Sequence, residues 1–424
     1  MKIGIIGLGY VGLPLVIQFA KSGAQVLGID VDEAKVNALN AGESYIKHIP
    51  AAEVQAQRDA GQIEATTDCA RVSELDAVLI CVPTPLDKNR EPDLTYIFST
   101  ARAIAPHLPK GIVVVLESTT YPGTTEDELR PILETGSGLT AGTDFHLAYS
   151  PEREDPGNPD SQVAKIPKVI GGYTTACLEK AKSIYSIAIE TLVPVSSCRA
   201  AEATKLLENI FRCVNIALVN EMKIIYHELG IDIWEVIEAA KTKPFGYMPF
   251  YPGPGLGGHC IPIDPFYLSW KARQHGMEAR FIELAGEVNA AMPDYIIERL
   301  TAALDEQKKQ IKGSRVLIVG LAYKPNVEDD RESPSYVLME KLEALGTAVD
   351  YHDPHVPVIR PSREYSHFVG RKSIPWTAEA MTQYDAALIA TAHDSLDHAQ
   401  LAGWIPCLVD TRNALPIEIN SIRA

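Results

Sequence analysis

Residues 2–12 read KIGIIGLGYVG, and this stretch decides the fold of the 424-residue chain. A short apolar strand runs into a G-x-G-x-x-G pattern, and a helical pattern follows from Leu13 to Ser22. In this context Gly7 permits a tight turn, Gly9 lets the backbone approach a diphosphate, and Gly12 allows the helix to pack closely on the strand. The stretch therefore predicts a dinucleotide-binding turn, with the diphosphate at the helix N-terminus. The alternative is a glycine-rich turn that binds no ligand.

Asp30 indicates which dinucleotide binds. It ends the next apolar strand, which runs from Val26. A carboxylate at this position accepts hydrogen bonds from both ribose hydroxyls and repels a 2′-phosphate. The predicted cofactor is therefore NAD rather than NADP.

The strand–helix rhythm continues outward from this turn, is interrupted, and then restarts. Apolar strands are predicted at 75–82 and 112–116, helices at 199–229, 233–241 and 281–304, and a new α/β pattern from 315 onward. The predicted fold class is α/β: two Rossmann-like doubly wound domains joined by a long central helix and a small helical domain. The predicted domains are 1–196, 197–304 and 305–424.

Composition excludes several partners. A net charge of -16 repels nucleic acid and anionic membrane surfaces, so neither is a predicted partner. No apolar run approaches the ~18 residues of a membrane span, and because an apolar strand is predicted from the second residue, we expect no signal peptide. The 7 cysteines lack paired CxxC spacing, which predicts neither a disulfide framework nor a metal site and favours the reducing cytoplasm.

A long loop at 244–265 contains GLGGHCIPID, which places Cys260 four residues before Asp264. Loops of this length inside compact proteins are often functional. A thiolate adds to an aldehyde, so a cysteine together with NAD predicts oxidation of an alcohol beyond the aldehyde to the acid. The alternative for Cys260 is a small buried hydrophobe, which is our prediction for the other six cysteines.

Further polar residues recur where chemistry is expected. Lys205 and Asn209 lie four residues apart in a helical pattern, so they share a face and suit stabilisation of an oxyanion. Glu152 follows a strand and suits a general base, as does Asp264, and the sequence leaves the choice between them open. Taken singly, each also fits an ordinary surface or helix-capping role. Among the strand-end residues Val82, Thr84, Ser118 and Thr119, the hydroxyl residues also fit helix capping, and the cations Lys324, Arg331 and Arg412 also fit surface charges.

The motifs GLGYVG, CVPTP, EST, SPE, AExxKLxEN, GxGGHC-x3-D, GLAYKP and DxRES follow one another in this order over nearly the whole chain. This ordered set resembles the UDP-sugar 6-dehydrogenase family, within the UDP-glucose/GDP-mannose dehydrogenase superfamily. The resemblance implies oxidation of the C6 alcohol of a UDP-hexose to the uronate with two NAD+. It labels the three segments as an NAD-binding domain, a central dimerisation domain that carries the cysteine loop, and a UDP-binding domain.

The resemblance also assigns residues. The implied catalytic residues are Cys260 as the nucleophile, with Lys205, Asn209, Asp264, Glu152 and Thr119 assisting. The implied cofactor-binding residues are Gly7, Gly9, Tyr10, Val11, Gly12, Asp30, Lys35, Val82, Thr84, Ser118, Thr119 and Arg331. The implied substrate-binding residues are Glu152, Arg153, Lys205, Asn209, Tyr251, Gly255, Gly257, Tyr323, Lys324 and Arg412.

The branch of the family is indicated by three departures from its glucose-oxidising members. Ile263 stands where those members usually carry a lysine, His259 where they tend to have a serine, and 152–158 read EREDPGN. Glu117 begins ESTTYPG, which resembles the UDP-N-acetylglucosamine 6-dehydrogenase branch. The predicted substrate is UDP-N-acetylglucosamine, for capsule or O-antigen synthesis, by a homodimer or larger homo-oligomer.

Several alternatives remain. UDP-N-acetylmannosamine or UDP-glucose could undergo the same chemistry. A single-step hydroxyacid dehydrogenase would need no cysteine and would give one NADH per substrate. A non-catalytic NAD-sensing module would have no reason to combine Cys260 with Lys205 and Asn209.

Overall fold

A computed structural model describes residues 1–46, 49–87, 91–154, 163–258, 260–361 and 365–424. The chain forms two compact units, each made of two segments. Unit 1 comprises Met1–Glu208 and Phe266–Glu278, and unit 2 comprises Asn209–Pro265 and Ala279–Ala424. The finer division into three domains stays a prediction.

Unit 1 is built on a sheet that has eight strands among the described residues. They are β1 (Lys2–Ile6), β2 (Gln25–Ile29), β3 (Ile63–Thr66), β4 (Ala77–Ile80), β5 (Val113–Leu116), β6 (His146–Tyr149), β7 (Lys168–Gly172) and β8 (Leu192–Val195). The helices of this region are α1 (Gly12–Lys21), α2 (Glu33–Asn40), α3 (Ala51–Asp59), α4 (Thr95–Ile104), α5 (Arg130–Ser137) and α6 (Thr175–Tyr185).

The strand order of this sheet is β3-β2-β1-β4-β5-β6-β7-β8. Its first six positions have the order of a dinucleotide-binding fold, in which ligands bind beyond the carboxyl ends of the strands. Every residue of β4 and β5 is buried, which explains why both strands read as continuous apolar runs: helices cover both faces of a parallel sheet. All neighbouring strands pair in parallel except β6 and β7, which are antiparallel.

Unit 2 contains a second, all-parallel sheet, in the order β10-β9-β11-β12-β13. Its strands are β9 (Arg315–Val319), β10 (Ala348–His352), β11 (Ala386–Ile389), β12 (Cys407–Asp410) and β13 (Ile422–Arg423). The remaining helices of the chain, in order, are α7 (Cys198–Glu228), α8 (Ile233–Ala240), α9 (Asp264–Gln274), α10 (Arg280–Glu306), α11 (Pro334–Ala344), α12 (Ala378–Met381) and α13 (Leu401–Trp404).

These elements confirm the predicted fold class, including the long central helix α7. Helix α9 is not predicted from the sequence, because Pro265 follows its first residue and prolines usually interrupt helices. In the first turn, however, a proline lacks only an N–H group that would have no partner within the helix. None of the helices in the described ranges is long and apolar enough to cross a membrane.

Candidate active site

The glycine turn of unit 1 has the geometry that the sequence predicts. Gly7 has a φ of +92°, and a Cβ atom there would lie 2.6 Å from the Cys81 carbonyl oxygen. A Cβ atom on Gly12 would lie 1.9 Å from the Gly7 carbonyl oxygen. At Gly9, by contrast, a Cβ atom would meet nothing within 4 Å. The protein itself requires glycine at the first and third positions, whereas Gly9 borders open space, as a cradle for a diphosphate would require.

Asp30 lies beside this turn and is 8% exposed. Its carboxylate accepts the Leu8 N–H at 2.7 Å and the Asp32 N–H at 2.9 Å, and the Lys35 ammonium lies 3.4 Å away. No side chain among the described residues caps the start of α1, and its first turn holds no acidic residue. The first turn of α1 is therefore suited to an anion, so the residues present fit NAD. Tyr10 and Val11 occupy the turn itself and are partly buried.

The loops after β4 and β5 carry the predicted hydroxyl residues. Strand β4 pairs in parallel with β1, and β5 pairs in parallel with β4, so their carboxyl ends open at the same edge of the sheet as the glycine turn. The Ser118 hydroxyl donates to the Val82 carbonyl at 2.7 Å, and the Tyr267 hydroxyl donates to the Thr84 carbonyl at 2.7 Å. Thr119 is partly buried beside Ser118. Val82, Thr84, Ser118 and Thr119 therefore follow parallel strands that end at one edge of the sheet.

Glu152, which follows β6, belongs to a buried cluster of charges. Its Oε2 lies 2.9 Å from the Lys168 ammonium, which also contacts Glu117 Oε2 at 2.7 Å. Its Oε1 accepts the backbone N–H groups of Arg153 at 2.7 Å and Glu154 at 2.8 Å. Both oxygens of the Glu152 carboxylate are therefore engaged.

The two carboxylates of the cluster, Glu152 and Glu117, differ in the direction of their pKa shifts. Burial opposes ionisation of Glu152, but the Lys168 ammonium and the two N–H groups outweigh it and hold the pKa below its usual range. Burial and the nearby Glu152 charge raise the pKa of Glu117 to about 7, although Lys168 opposes this. The Tyr185 hydroxyl also bonds Glu117.

Lys205 and Arg153 meet the same loop. The Lys205 ammonium donates to the main-chain carbonyl of Glu152 at 2.7 Å. Arg153 forms an ion pair with Glu208 at 2.7 Å and donates to the Pro167 carbonyl at 2.6 Å. The structure therefore brings Glu152, Arg153 and Lys205 together.

The cysteine loop belongs to unit 2. Cys260 is exposed, whereas the other cysteines are buried or, for Cys69, partly buried. The Cys260 carbonyl accepts the Asp264 N–H at 2.8 Å at the start of α9. Asp264 is 4% exposed and accepts a hydrogen bond from the Asn209 amide at 2.5 Å. Ile261 is buried, so the residue after Cys260 anchors the loop. His259 and 155–158 lie outside the described residues.

The glycines before Cys260 pack against the second sheet domain. A Cβ atom would lie 2.7 Å from Tyr323 Cβ at Gly257, and 2.8 Å from the Tyr323 ring at Gly258. At Gly253 it would lie 2.3 Å from the Arg412 guanidinium. Gly255 has a φ of +126°, a backbone conformation that residues other than glycine rarely adopt. The loop's glycines therefore allow its backbone to approach Tyr323 and Arg412 closely.

The remaining predicted residues have partners of their own. Tyr251 stacks on Trp234, with ring centroids 5.7 Å apart, and Lys324 lies 5.8 Å above the Tyr323 ring. Arg331 donates two hydrogen bonds to Asp329, at 2.8 and 2.6 Å. Arg412 donates to the Ala390 carbonyl at 2.7 Å, and burial lowers its pKa to about 10. In the described ranges, no group of three or more His, Cys, Asp and Glu residues is arranged to hold a metal ion.

Two sets of residues beside these sites have no role predicted from the sequence. One is Glu117 and Lys168. The sequence signal for them is a charge at the end of an apolar strand, because Glu117 directly follows β5 and Lys168 begins β7. The other is the buried pair Asn220 and Asn289, joined at 2.8 Å, in which Asn220 also accepts the Gly253 N–H at 3.0 Å and so supports the cysteine loop.

Comparison with known proteins gives consistent matches along the chain. Three domain models of the UDP-glucose/GDP-mannose dehydrogenase family match it: the NAD binding domain at 1–189, the central domain at 199–291 and the UDP binding domain at 317–417. UDP-N-acetyl-D-glucosamine 6-dehydrogenase of Pseudomonas aeruginosa is 36% identical over 93% of this chain and 90% of that protein. UDP-N-acetyl-D-mannosamine dehydrogenase of Escherichia coli K12 is 38% identical over 85% of each. The solved structure of UDP-D-ManNAc dehydrogenase from Pyrococcus horikoshii has a TM-score of 0.89 and 30% identity, covering 100% of this chain and 99% of that one.

Proposed function

This chain belongs to the UDP-glucose/GDP-mannose dehydrogenase family, and from that premise we propose its substrate and the role of its exposed cysteine. Members of the family are NAD-dependent oxidoreductases that act on nucleotide sugars, and so is this protein. We propose that it oxidises the C6 alcohol of UDP-N-acetyl-D-glucosamine to the carboxylate. One alcohol, one water and two NAD+ then give one carboxylate, two NADH and three protons.

One observation carries the proposal. Cys260 is exposed on a glycine loop, one turn before a buried carboxylate that is held by Asn209. A cysteine with a packing role would be buried, as Cys213 and Cys407 are. Asp264 and Asn209 are buried polar groups without an evident packing purpose, which supports a chemical role for both.

The proposed chemistry passes through two adducts on the cysteine. Bound NAD+ would supply the two hydride acceptors. The Cys260 thiolate adds to the aldehyde carbon, and this new C–S bond gives a thiohemiacetal that still carries a hydrogen for the second oxidation. Loss of that hydride and of the hydroxyl proton gives a thioester. Water then attacks the thioester carbon, the C–S bond breaks, and the thiolate is released with the carboxylate product.

The other residues have proposed roles around this carbon. The Lys205 ammonium and the Asn209 amide stabilise the oxyanion that develops during addition and hydrolysis, and Thr119 contacts the reacting oxygen or water. Glu152 or Asp264 takes the proton from the attacking water. Full engagement of the Glu152 oxygens favours Asp264 for this step, because a carboxylate with a lowered pKa is a weaker base.

The proposed substrate contacts follow the family resemblance. Tyr323, Lys324 and Arg412 would bind the UDP part, and Arg331 would reach the cofactor. The backbone from Tyr251 to Gly257 and the Arg153 side chain would hold the sugar. The packing of Gly253 on Arg412 and of Gly257 on Tyr323 supports a common site for the first group and the loop.

UDP-N-acetyl-D-mannosamine is the second candidate substrate. The Escherichia coli relative named for that sugar is slightly more identical to this chain than the relative named for the glucosamine epimer, over a shorter stretch. UDP-glucose is the more remote choice, because the sequence departs from the glucose branch at Ile263.

The test is NADH formation with a panel of the three UDP-sugars. We expect UDP-N-acetyl-D-glucosamine to react fastest and to yield two NADH per sugar. Cys260→Ser should lower uronate formation by about a thousandfold or more, the scale on which loss of a covalent nucleophile acts. Cys69→Ser is the matched control and should react normally. Uronate formation by Cys260→Ser at the normal rate, or one NADH per sugar, would exclude covalent catalysis.

We also propose that two copies of the chain associate through α7. Phe211, Leu218 and Ile225 recur every seven residues on this helix and are 46%, 50% and 43% exposed. Apolar residues at this spacing are typical of a helix face that packs against another helix. Sedimentation velocity should show a dimer or larger oligomer, and a monomer would contradict it.

The proposed setting is the cytoplasm, where the catalytic thiol stays reduced. The proposed use of the uronate is in the synthesis of a bacterial-type surface polysaccharide such as capsule or O-antigen.

A further inference from the structure

The buried charge cluster beside Glu152 has a cost that packing does not explain. Lys168 is 3% exposed and Glu117 1% exposed. Removing such groups from water costs several kcal/mol per ion, and apolar residues of similar volume often give equal or greater stability. A buried ammonium between two carboxylates therefore calls for a role other than stabilising the fold.

Strand direction explains how the lysine reaches this place. The antiparallel register of β6 and β7 pairs Ala148 with Gly172 and Tyr149 with Gly171. Continued by three residues, the same register sets position 152 opposite position 168. A parallel β7 would begin at the other edge of the sheet, far from Glu152. The one antiparallel pairing in the described part of this sheet thus delivers the Lys168 ammonium to the loop that follows β6.

The cluster is connected to Lys205 through the backbone. Lys168 holds the Glu152 side chain at 2.9 Å, and the carboxylate also binds the N–H groups of Arg153 and Glu154. These contacts fix the peptide at Glu152, whose carbonyl accepts the Lys205 ammonium at 2.7 Å. We propose that Lys168 is a positioning residue: by clamping the Glu152 side chain, it sets the place of the Lys205 ammonium. This inference rests on the proposed function, in which Lys205 stabilises the oxyanion.

Other ionisable groups face the same cluster. Glu117 follows β5, Tyr185 lies on α6 and bonds Glu117, and the Cys81 thiol follows β4. Burial raises the pKa values of Tyr185 and Cys81, so both stay neutral near pH 7. Lys168 keeps its charge because the two carboxylates outweigh the effect of burial and raise its pKa. Removal of the lysine charge should therefore act first on the carboxylates.

The central variant is Lys168→Met, assayed with the sugar that the wild-type enzyme oxidises. We expect kcat to fall about a hundredfold, as small misplacements of catalytic groups do, with KM and the Kd for NAD+ nearly unchanged. Without the ammonium, the pKa of buried Glu152 rises, so the acidic limb of the kcat–pH profile should move to higher pH.

Glu117→Gln is the matched control. Its amide oxygen still accepts from Lys168, and the Lys168–Glu152 pair is kept, so kcat and the acidic limb should stay close to the wild-type values. A folded Lys168→Met enzyme with wild-type kcat and pH profile would overturn the inference. So would equal losses of kcat in both variants without movement of the acidic limb, because that pattern indicates a purely structural cluster.

Two further measurements separate the possible failures. If Lys168→Met does not fold, the Glu117→Gln/Lys168→Met double variant removes one charge of each sign, keeps the net charge of the cluster, and should show the same shift of the acidic limb. A double variant with a wild-type profile would overturn the inference. Absence of NADH formation by the wild-type protein with every UDP-sugar would instead contradict the proposed function.

Discussion

Two turns, one in each unit, share a backbone geometry and differ in what surrounds them. In unit 1 Gly7 has a φ of +92°, and its N–H donates to the Ile29 carbonyl at 2.8 Å. In unit 2 Gly320 has a φ of +89°, and its N–H donates to the His352 carbonyl at 2.8 Å. Each turn follows the strand of its sheet that comes first along the chain, β1 in unit 1 and β9 in unit 2, so the same strand-to-loop geometry arises twice in one chain.

The carboxylates of the two turns also correspond. Asp30 accepts the Leu8 N–H, and Asp353 accepts the Leu321 N–H, both at 2.7 Å. In each case the acid follows the neighbouring strand and bonds the residue after the glycine. The likeness extends from the backbone to one side chain.

The surroundings then diverge. Helix α1 begins five residues after Gly7, and Gly9 borders open space. Helix α11 begins only at Pro334. Asp353 is 2% exposed, and the His393 imidazole lies 3.0 Å from its Oδ2. The first turn leaves room for a diphosphate, whereas the second is filled by its own side chains, so sheet geometry alone does not identify a dinucleotide site.

The largest expected effect tests what the two turns share. Gly7→Ala and Gly320→Ala should each lower the free energy of unfolding by roughly 3 kcal/mol, from left-handed strain and overpacking combined. The added Cβ atom would lie 2.6 Å from the Cys81 carbonyl oxygen in one case and 2.3 Å from the Thr391 carbonyl oxygen in the other. Urea denaturation measures both.

Gly61→Ala is the control for this pair, because its φ is +70° and its Cβ atom would meet nothing within 4 Å. Only the strain of about 1 kcal/mol should remain there. If Gly320→Ala were no less stable than this control, the two turns would not be equivalent.

The next effect tests the closed turn by its pH dependence. Burial opposes ionisation of Asp353, but His393 and several N–H groups outweigh it and lower the pKa to about 2. A carboxylate with a depressed pKa stabilises the fold above its unfolded pKa of about 4, and the stabilisation is lost as pH falls toward 2. Asp353→Asn should therefore lower the free energy of unfolding by roughly 2 kcal/mol at pH 7. Its free energy of unfolding should also fall less steeply than that of the wild-type protein between pH 4 and 2.

Tryptophan fluorescence can follow this unfolding, because Trp234, Trp376 and Trp404 all belong to unit 2. Asp30→Asn is the comparison variant and should weaken NAD+ binding. If the free energy of unfolding of Asp353→Asn fell between pH 4 and 2 as steeply as that of the wild-type protein, the Asp353 carboxylate would not be what distinguishes the turn at Gly320.

The smallest effect tests the open turn. Gly9→Val adds a side chain where the protein leaves space, so folding should be normal while the Kd for NAD+ rises about tenfold, or 1.4 kcal/mol. Calorimetric titration with NAD+ measures the change. Gly61→Ala should bind NAD+ as the wild-type protein does. If Gly9→Val bound NAD+ with unchanged affinity, the diphosphate would not bind at this turn.

Much of the fold could be predicted because the relevant forces act locally. The buried strands β4 and β5 read as apolar runs, and α7 contains neither proline nor glycine over its length. Helix α9 could not be predicted in this way, because a proline such as Pro265 is tolerated in the first turn of a helix but disrupts its middle, and the sequence alone does not show where the helix begins.

The residues of the candidate site also differ in whether nearby sequence is enough to identify them. Residue type and spacing were enough to select Gly7, Gly9, Asp30 and Cys260, because each belongs to a short motif. The partners of Glu152 could not be selected, since Glu117 and Lys168 lie 35 and 16 residues away along the chain.

By itself, the sequence determined the two sheets and the glycine turn, because local sterics and the periodicity of hydrophobic residues act within a few residues. It also showed that one chain contains both a dinucleotide-binding motif and a loop cysteine. Only the tertiary structure decided that one of two similar turns is open and the other filled, and that an antiparallel strand carries a lysine to Glu152. Those outcomes depend on which side chains meet across the sheets, and strand order and direction determine those meetings.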